Sequence, residues 1–196
     1  MNIYIYGLGA IGSNLLMQLI KKYPSTSFYG IDYDKVEERN INTQAYFLNH
    51  IGIPKAQAIL PAIGTKMRKF QYKPLVRKIV GSEDILSILE ETNAGKDYLL
   101  IDCFDNTESR KLFDIFNYNI LHIGFSPQYA AEILWQEHYS APQNLPEGQN
   151  DICVLSEAIP FINFVVSLAC LTVSDFIDNG KKSNYLITNK TKIITL

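Results

Sequence analysis

Residues 2–23 read NIYIYGLGAIGSNLLMQLIKKY. The first five form a short run of strand-favouring residues. A glycine-rich turn follows, and then Leu15, Leu16, Leu19 and Ile20 recur at helical spacing. Gly7, Gly9 and Gly12 therefore make a G-x-G-x-x-G between a strand and a helix. The first glycine permits a tight turn, the second lets the backbone approach a phosphate, and the third lets helix and strand pack closely. The helix N-terminus adds unpaired N–H groups and partial positive charge. In this context the motif indicates a nucleotide but does not choose which one.

The next segment narrows the choice. Residues 31–44 read IDYDKVEERNINTQ. Asp32 ends a second strand, SFYGID, about twenty residues past the glycines, where a carboxylate can accept from both ribose hydroxyls. Asp34 is read as capping the following turn. A dinucleotide dehydrogenase has no need of the polar string Asn40, Asn42 and Gln44. Further on, GIPK places Lys55 at a helix start, as a solvated charge or as a phosphate ligand. DCFDNTESR places Asp105 and Asn106 at the C-terminal end of a strand, where open α/β sheets bind ligands. Asp105 can hold Mg²⁺, which takes oxygen ligands and bridges phosphates, or can serve the turn. Asn106 can cap the helix that follows.

The remaining pattern supports a doubly wound α/β fold. QAYFLNH, PKAQAILPAIGTKM, SEDILSILEETNAG and NTESRKLFDIFNY read as helices, the third opened by a capping serine. KFQYKPLVRKI holds a third strand around Pro74, and DYLLIDC and NILHIGF read as apolar strands of a parallel sheet. YAAEILWQEHY reads as an antiparallel strand and SAPQNLPEGQND as a loop. AIPFINFVVSLACLTVSDF reads as a buried helix with proline in its first turn rather than a membrane span. SNYLITNKTKIITL reads as a hairpin around Asn189-Lys190. The expectation is a Rossmann-like mixed sheet with an antiparallel C-terminal part, in a single domain over residues 1–196.

With 47% hydrophobic and 19% charged residues, the chain can build an ordinary core. A net charge of -2 without a basic run gives no support for a nucleic-acid partner. The three cysteines, Cys103, Cys153 and Cys170, form no C-x-x-C pair, so neither a structural zinc site nor a disulfide framework is expected. The N-terminus lacks the features of a signal peptide, and the composition suits a reducing cytoplasm.

Four motifs stand in order: GLGAIG, DYDKVEERNINTQ, GIPK and DCFDNTESR. Together they resemble the ThiF/MoeB/HesA superfamily of adenylating enzymes, relatives of ubiquitin-activating enzymes. DICVLSEAIPFINFVVSLAC is similar to that family's crossover loop and last core helix, so the resemblance covers nearly the whole chain. It implies ATP and Mg²⁺ rather than NAD. By it, Asp32 holds the ribose, Asn40 and Lys55 contact phosphates, and Asp105 binds Mg²⁺. The implied reaction is attack by a carboxylate, usually the C-terminus of a ubiquitin-like protein, on the α-phosphate. Pyrophosphate leaves and an acyl-adenylate remains. A peptide C-terminus is the other acceptor considered. Family members are commonly homodimers, and the apolar last helix could supply an interface.

The sequence also departs from the family pattern. Thr43 stands where N-x-x-R-Q places a phosphate-binding arginine. The N-terminal helix that brings another arginine across the dimer in several relatives is expected to be missing, as are the zinc-binding C-x-x-C pairs. Arg39, beside Asn40, is a candidate replacement, with a solvated surface arginine as the plainer reading. Cys153 lies near the place where some relatives carry an acyl-accepting cysteine, and a helix N-terminus would lower its pKa. A small buried apolar residue is the plainer reading there. Cys103 and Cys170 are expected in the core. The rivals are a weak or inactive nucleotide-binding partner subunit, an NAD-dependent oxidoreductase, and a tRNA-modifying dehydratase of the same superfamily.

Overall fold

The computed structural model describes residues 1–63, 70–117, 119–126, 130–140, 156–188 and 192–195. Its frame is an eight-stranded sheet in the order β3-β2-β1-β4-β5-β6-β7-β8. The strands are β1 (Asn2–Tyr6), β2 (Ser27–Ile31), β3 (Gln71–Leu75), β4 (Tyr98–Asp102), β5 (Ile120–Ser126), β6 (Ala130–Trp135), β7 (Tyr185–Thr188) and β8 (Lys192–Thr195). The first five are mutually parallel, and β6, β7 and β8 continue the sheet antiparallel.

The helices are α1 (Ala10–Lys22), α2 (Lys55–Ile63), α3 (Ser82–Glu91), α4 (Thr107–Lys111) and α5 (Ile159–Asn179). Strand alternation gives the sheet two apolar faces. Ile3 and Ile5 of β1 join α1, α2 and α5 in one core cluster. Tyr4 and Tyr6 join α3 and the Phe113–Phe116 segment in the other. This is what right-handed crossovers require when the chain winds outward through β2 and β3 and then returns to β4. The winding reverses between β1 and β4, so their C-terminal ends diverge into the crevice where such sheets bind ligands.

Several elements differ from the sequence reading. QAYFLNH is not an α-helix: a 3₁₀ turn occupies Leu48–His50, and the Phe47 amide donates to His50 Nδ1 at 3.2 Å. Tyr46 is buried, whereas Phe47 and Leu48 are exposed, so the segment has no continuous helical face to bury. Ser82 does not cap α3. Gly81 is the N-cap, and the Asp84 carboxylate accepts from the Val80 and Gly81 amides. Helix α4 is only five residues long, and i→i+3 bonds such as Leu112 to Ser109 and Phe113 to Arg110 tighten the chain after it. Pro74 sits inside β3, which is tolerable because β3 is an edge strand. The C-terminal hairpin forms as expected, while Asn189-Lys190 lies outside the described residues. Helix α5 is long and apolar enough to cross a membrane, yet it buries Val165, Val166, Ala169 and Val173 in the core and packs on α1. Cys170 is buried and Cys103 half-buried.

The tightest constraint lies at the first crossover. A Cβ on Gly12 would stand 1.9 Å from the Gly7 carbonyl oxygen. Gly12→Ala is therefore expected to destabilise the chain by about 2–3 kcal/mol, the usual scale of overpacking, as read from urea unfolding. An unchanged midpoint would contradict this packing.

Candidate nucleotide site

The three fingerprint glycines divide by what surrounds them. Gly7 has φ +84, and a Cβ there would meet the Cys103 carbonyl oxygen at 2.9 Å. Gly7 and Gly12 are thus demanded by the protein itself. Gly9 is not: a Cβ there would find no atom within 4 Å. Its side-chain space opens outward at the N-terminus of α1, where no side chain caps the helix and no acid lies in the first turn. The residue that fold packing leaves unexplained is the one a phosphate would approach, and an uncapped 13-residue helix suits an anion there.

Asp32 fastens this turn. Its Oδ2 accepts from the Leu8 amide at 2.8 Å and its Oδ1 from the Asp34 amide at 2.8 Å. The Leu8 carbonyl in turn accepts from the Tyr46 hydroxyl at 2.8 Å. A carboxylate has about four acceptor positions, so two remain for ribose hydroxyls. Burial pushes the Asp32 carboxyl above its usual range, opposed by Lys55 and by the two amides.

Lys55 reaches this place through backbone pairing. Lys35 bridges Pro54, the Val36 amide donates to the Ile53 carbonyl at 2.9 Å, and the Lys55 amide donates to the Asp34 carbonyl at 2.7 Å. The Lys55 side chain is 11% exposed, with Nζ 3.2 Å from Asp34 Oδ2. A mostly buried ammonium paired with a carboxylate is not a solvated surface charge, and Asp34 is its ion-pair partner rather than only a turn cap.

The polar string lies alongside. Asn40 is buried, and its Oδ1 accepts from the Glu37 amide at 2.8 Å, closing a 3₁₀ turn over Glu38–Asn40. Thr43 is buried, and its carbonyl accepts from Asn14 of α1 at 2.8 Å. Ser13 Oγ accepts from the Ala45 amide at 3.1 Å, so the segment is sewn to α1. Arg39 is a surface residue. Its side chain is 62% exposed and its Nε lies 2.6 Å from Glu37 Oε2. The structure does not bring Arg39 to Asp32 and Lys55. Cys153 lies outside the described residues.

Asp105 is exposed on the loop after β4, and that loop starts where Cys103 packs on Gly7. Asn106 caps α4, its Oδ1 accepting from the Ser109 amide at 2.8 Å. Among the described residues, no group of three or more His, Cys, Asp or Glu could hold a metal ion. A magnesium ion bound through one carboxylate and nucleotide phosphates does not need such a group.

Beneath the loop lies a largely buried ionic cluster whose members the four sequence motifs do not mark as ligand residues. Asp102 Oδ2 accepts from Arg110 Nε at 3.1 Å and lies 2.8 Å from His122 Nδ1. Arg110 Nη1 donates to Glu132 Oε1 at 2.9 Å. Burial opposes the Arg110 charge, but Asp102 and Glu132 outweigh it and keep the guanidinium charged. Gly124 leaves room for the pair, since a Cβ there would meet Glu132 Oε1 at 2.6 Å and Arg110 Nη1 at 2.7 Å. The available signal was one ionic or imidazole side chain in each of three apolar strands: Asp102, His122 and Glu132.

The ThiF family model matches residues 1–191 of this chain. No curated protein matches it. Among solved structures it is similar to E. coli MccB with MccA-N7isoASN, at 16% identity and TM-score 0.74, covering 100% of this chain and 64% of that one. It is also similar to E. coli MccB with ATP, at 14% identity and TM-score 0.72, covering 100% and 63%. PaaA is a further match, at 14% identity and TM-score 0.69, again covering 100% and 63%. The chain thus spans a little under two thirds of the length of these relatives, and at such identities the likeness is one of fold.

Two substitutions separate the site from its frame. Gly9→Ala is expected to change unfolding free energy by less than about 1 kcal/mol, because the position is open and φ is negative. It should nevertheless weaken nucleotide binding by about tenfold or more, roughly 1.4 kcal/mol, in a fluorescent-nucleotide titration. Arg110→Ala should cost about 3–5 kcal/mol of stability in urea unfolding, because it leaves Asp102 buried with its cation removed.

Proposed function

Because this chain belongs to the ThiF family, we propose that residues 1–196 act as one adenylation domain. It binds ATP with Mg²⁺ and activates a carboxylate as an acyl-adenylate. The observation that carries this reading is Lys55: a nearly buried ammonium paired with Asp34 and near enough to Asp32 to favour its charged form. The diphosphate of a nicotinamide dinucleotide stays intact through hydride transfer, whereas pyrophosphate leaving ATP gains negative charge that such a cation neutralises.

In this reading the free N–H groups of α1 receive phosphate oxygens and Gly9 lets them approach. Asp32 holds the ribose through its remaining lone pairs. Asn40, whose Oδ1 is committed to the Glu37 amide, uses its Nδ2 group toward phosphate. Asp105 would hold magnesium, which would supply positive charge beside the phosphates. A carboxylate oxygen attacks the α-phosphorus, the bond to the bridging oxygen breaks, and pyrophosphate leaves with that electron pair. Positioning and charge neutralisation supply the catalysis, as in nucleotidyl and phosphoryl transfer generally. The acceptor is the C-terminal carboxylate of a peptide or a ubiquitin-like protein. MccB has been solved with ATP and with MccA, which supports an acceptor presented by a separate chain. The exposed Phe164 and Leu171 on α5 support a homodimer.

One observation favours a second reading, a nucleotide-binding partner subunit with little turnover. Position 43 is a buried threonine, so it supplies no cation where the family pattern has an arginine. ATP–pyrophosphate exchange with magnesium and a panel of carboxylate-ended peptides separates the two. We expect exchange in the wild type and a loss of about a hundredfold or more in Asp105→Ala and Lys55→Ala. ATP binding without exchange would favour the partner reading. No ATP binding would contradict both.

A further inference from the structure

We propose that His122 is a positioning residue for the loop that carries Asp105, acting through Asp102. The inference rests on the reading of Asp105 as a magnesium-binding residue, and its geometry stands without any ligand. Asp102 ends β4, and His122 is its register partner on β5. Both side chains are fully buried. His122 Nδ1 lies 2.8 Å from Asp102 Oδ2, and Asp102 Oδ1 accepts from the Phe104 amide at 2.9 Å. Phe104 immediately precedes Asp105, so the imidazole fixes a carboxylate and the carboxylate fixes the backbone leading to Asp105.

Arg110 makes this restraint necessary. Its Nε bonds the same Oδ2, while its Nη2 is buried with no hydrogen-bond partner among the described residues. A carboxylate beside such a guanidinium has a competing pose, in which both oxygens pair with Nε and Nη2 as a fork. That pose would satisfy Nη2 and release the Phe104 amide. The bond from His122 holds Asp102 in the pose that leaves Oδ1 for Phe104. The imidazole is itself clamped. It stacks on Tyr139 with ring centroids 3.7 Å apart, meets Phe113 edge-on at 5.9 Å, and has Nε2 2.5 Å from Gln136 Oε1. Gln136 also lines a cavity of about 480 Å³ with Lys96, Tyr98, Asn119 and Lys182, at the end of β4 away from the nucleotide crevice.

The test compares two substitutions whose effects run in opposite order for positioning and for packing. His122→Asn keeps a donor near the Nδ1 position but loses the ring. His122→Phe keeps a ring against Tyr139 and Phe113 but loses the donor. Hydrogen exchange of the Phe104 amide, followed by NMR on the ligand-free full chain, is the readout. Positioning predicts exchange at least about tenfold faster in His122→Phe, and within about threefold of wild type in His122→Asn, for an opening equilibrium governed by that hydrogen bond. In ATP–pyrophosphate exchange, the kcat of His122→Phe should fall with KM for ATP little changed. Protection kept in the Phe variant and lost in the Asn variant would overturn the proposal. The wild type gives a measurement independent of variant folding: ring ¹⁵N spectra should show a proton on His122 Nδ1, and an unprotonated Nδ1 would overturn it equally. Since the amide readout needs no nucleotide, a wild type that keeps Phe104 protected but binds no ATP counts against the ATP reading alone.

Discussion

One buried carboxylate joins the parts of this site. Asp32 takes the Leu8 amide on one oxygen and the Asp34 amide on the other. The first bond ties the glycine turn to the end of β2. The second fixes the start of the segment whose pairing with residues 52–55 delivers Lys55. Burying a carboxylate is costly unless it is hydrogen-bonded and offset by charge. Here two amides and a nearby ammonium provide the compensation, and the same compensation assembles the crevice.

The end of β4 repeats the device. Asp102 is the last residue of β4 and Asp32 the first after β2, and each accepts from the amide two residues on. The two strands flank β1, and the turn after β1 packs on both, through Asp32 on one side and Cys103 on the other. The point where the winding reverses is thus braced from both neighbours. The difference lies in the supporting charges. Asp32 is served by a lysine at the crevice, whereas Asp102 sits with buried Arg110 and His122 and the half-buried Glu132. The first arrangement leaves lone pairs for a ligand, and the second holds a loop.

Much of the fold was legible because the sheet alternates strictly. Odd and even residues of β1 go to opposite apolar faces, and the helices between strands carry helical apolar periods. QAYFLNH reads as a helix from its apolar run, yet of Tyr46, Phe47 and Leu48 only Tyr46 turns inward, to reach the Leu8 carbonyl, and consecutive residues share no helical face. The glycines, Asp32 and Lys55 were legible as an ordered motif, and their convergence was not, since it depends on a bridge between Lys35 and Pro54. Asn40 illustrates a further limit: its amide oxygen closes a local turn, a role that its place in the motif does not reveal. The Asp102 cluster was out of reach because it depends on the register of three strands and on a side chain from α4. A lone polar residue within an apolar strand gives no indication of its partner.

The central claim is that the glycine turn, the Asp32–Lys55 segment and the Asp105 loop form a single site for ATP with magnesium. Mapping backbone amide shifts in ¹H–¹⁵N spectra during titration with Mg·ATP, and separately with NAD⁺, tests it most directly. The account predicts that Gly9, Ala10, Asp34, Lys55 and Asp105 shift together with Mg·ATP and remain in place with NAD⁺. Shifts at these residues with NAD⁺, or Mg·ATP shifts confined to other parts of the chain, would contradict it.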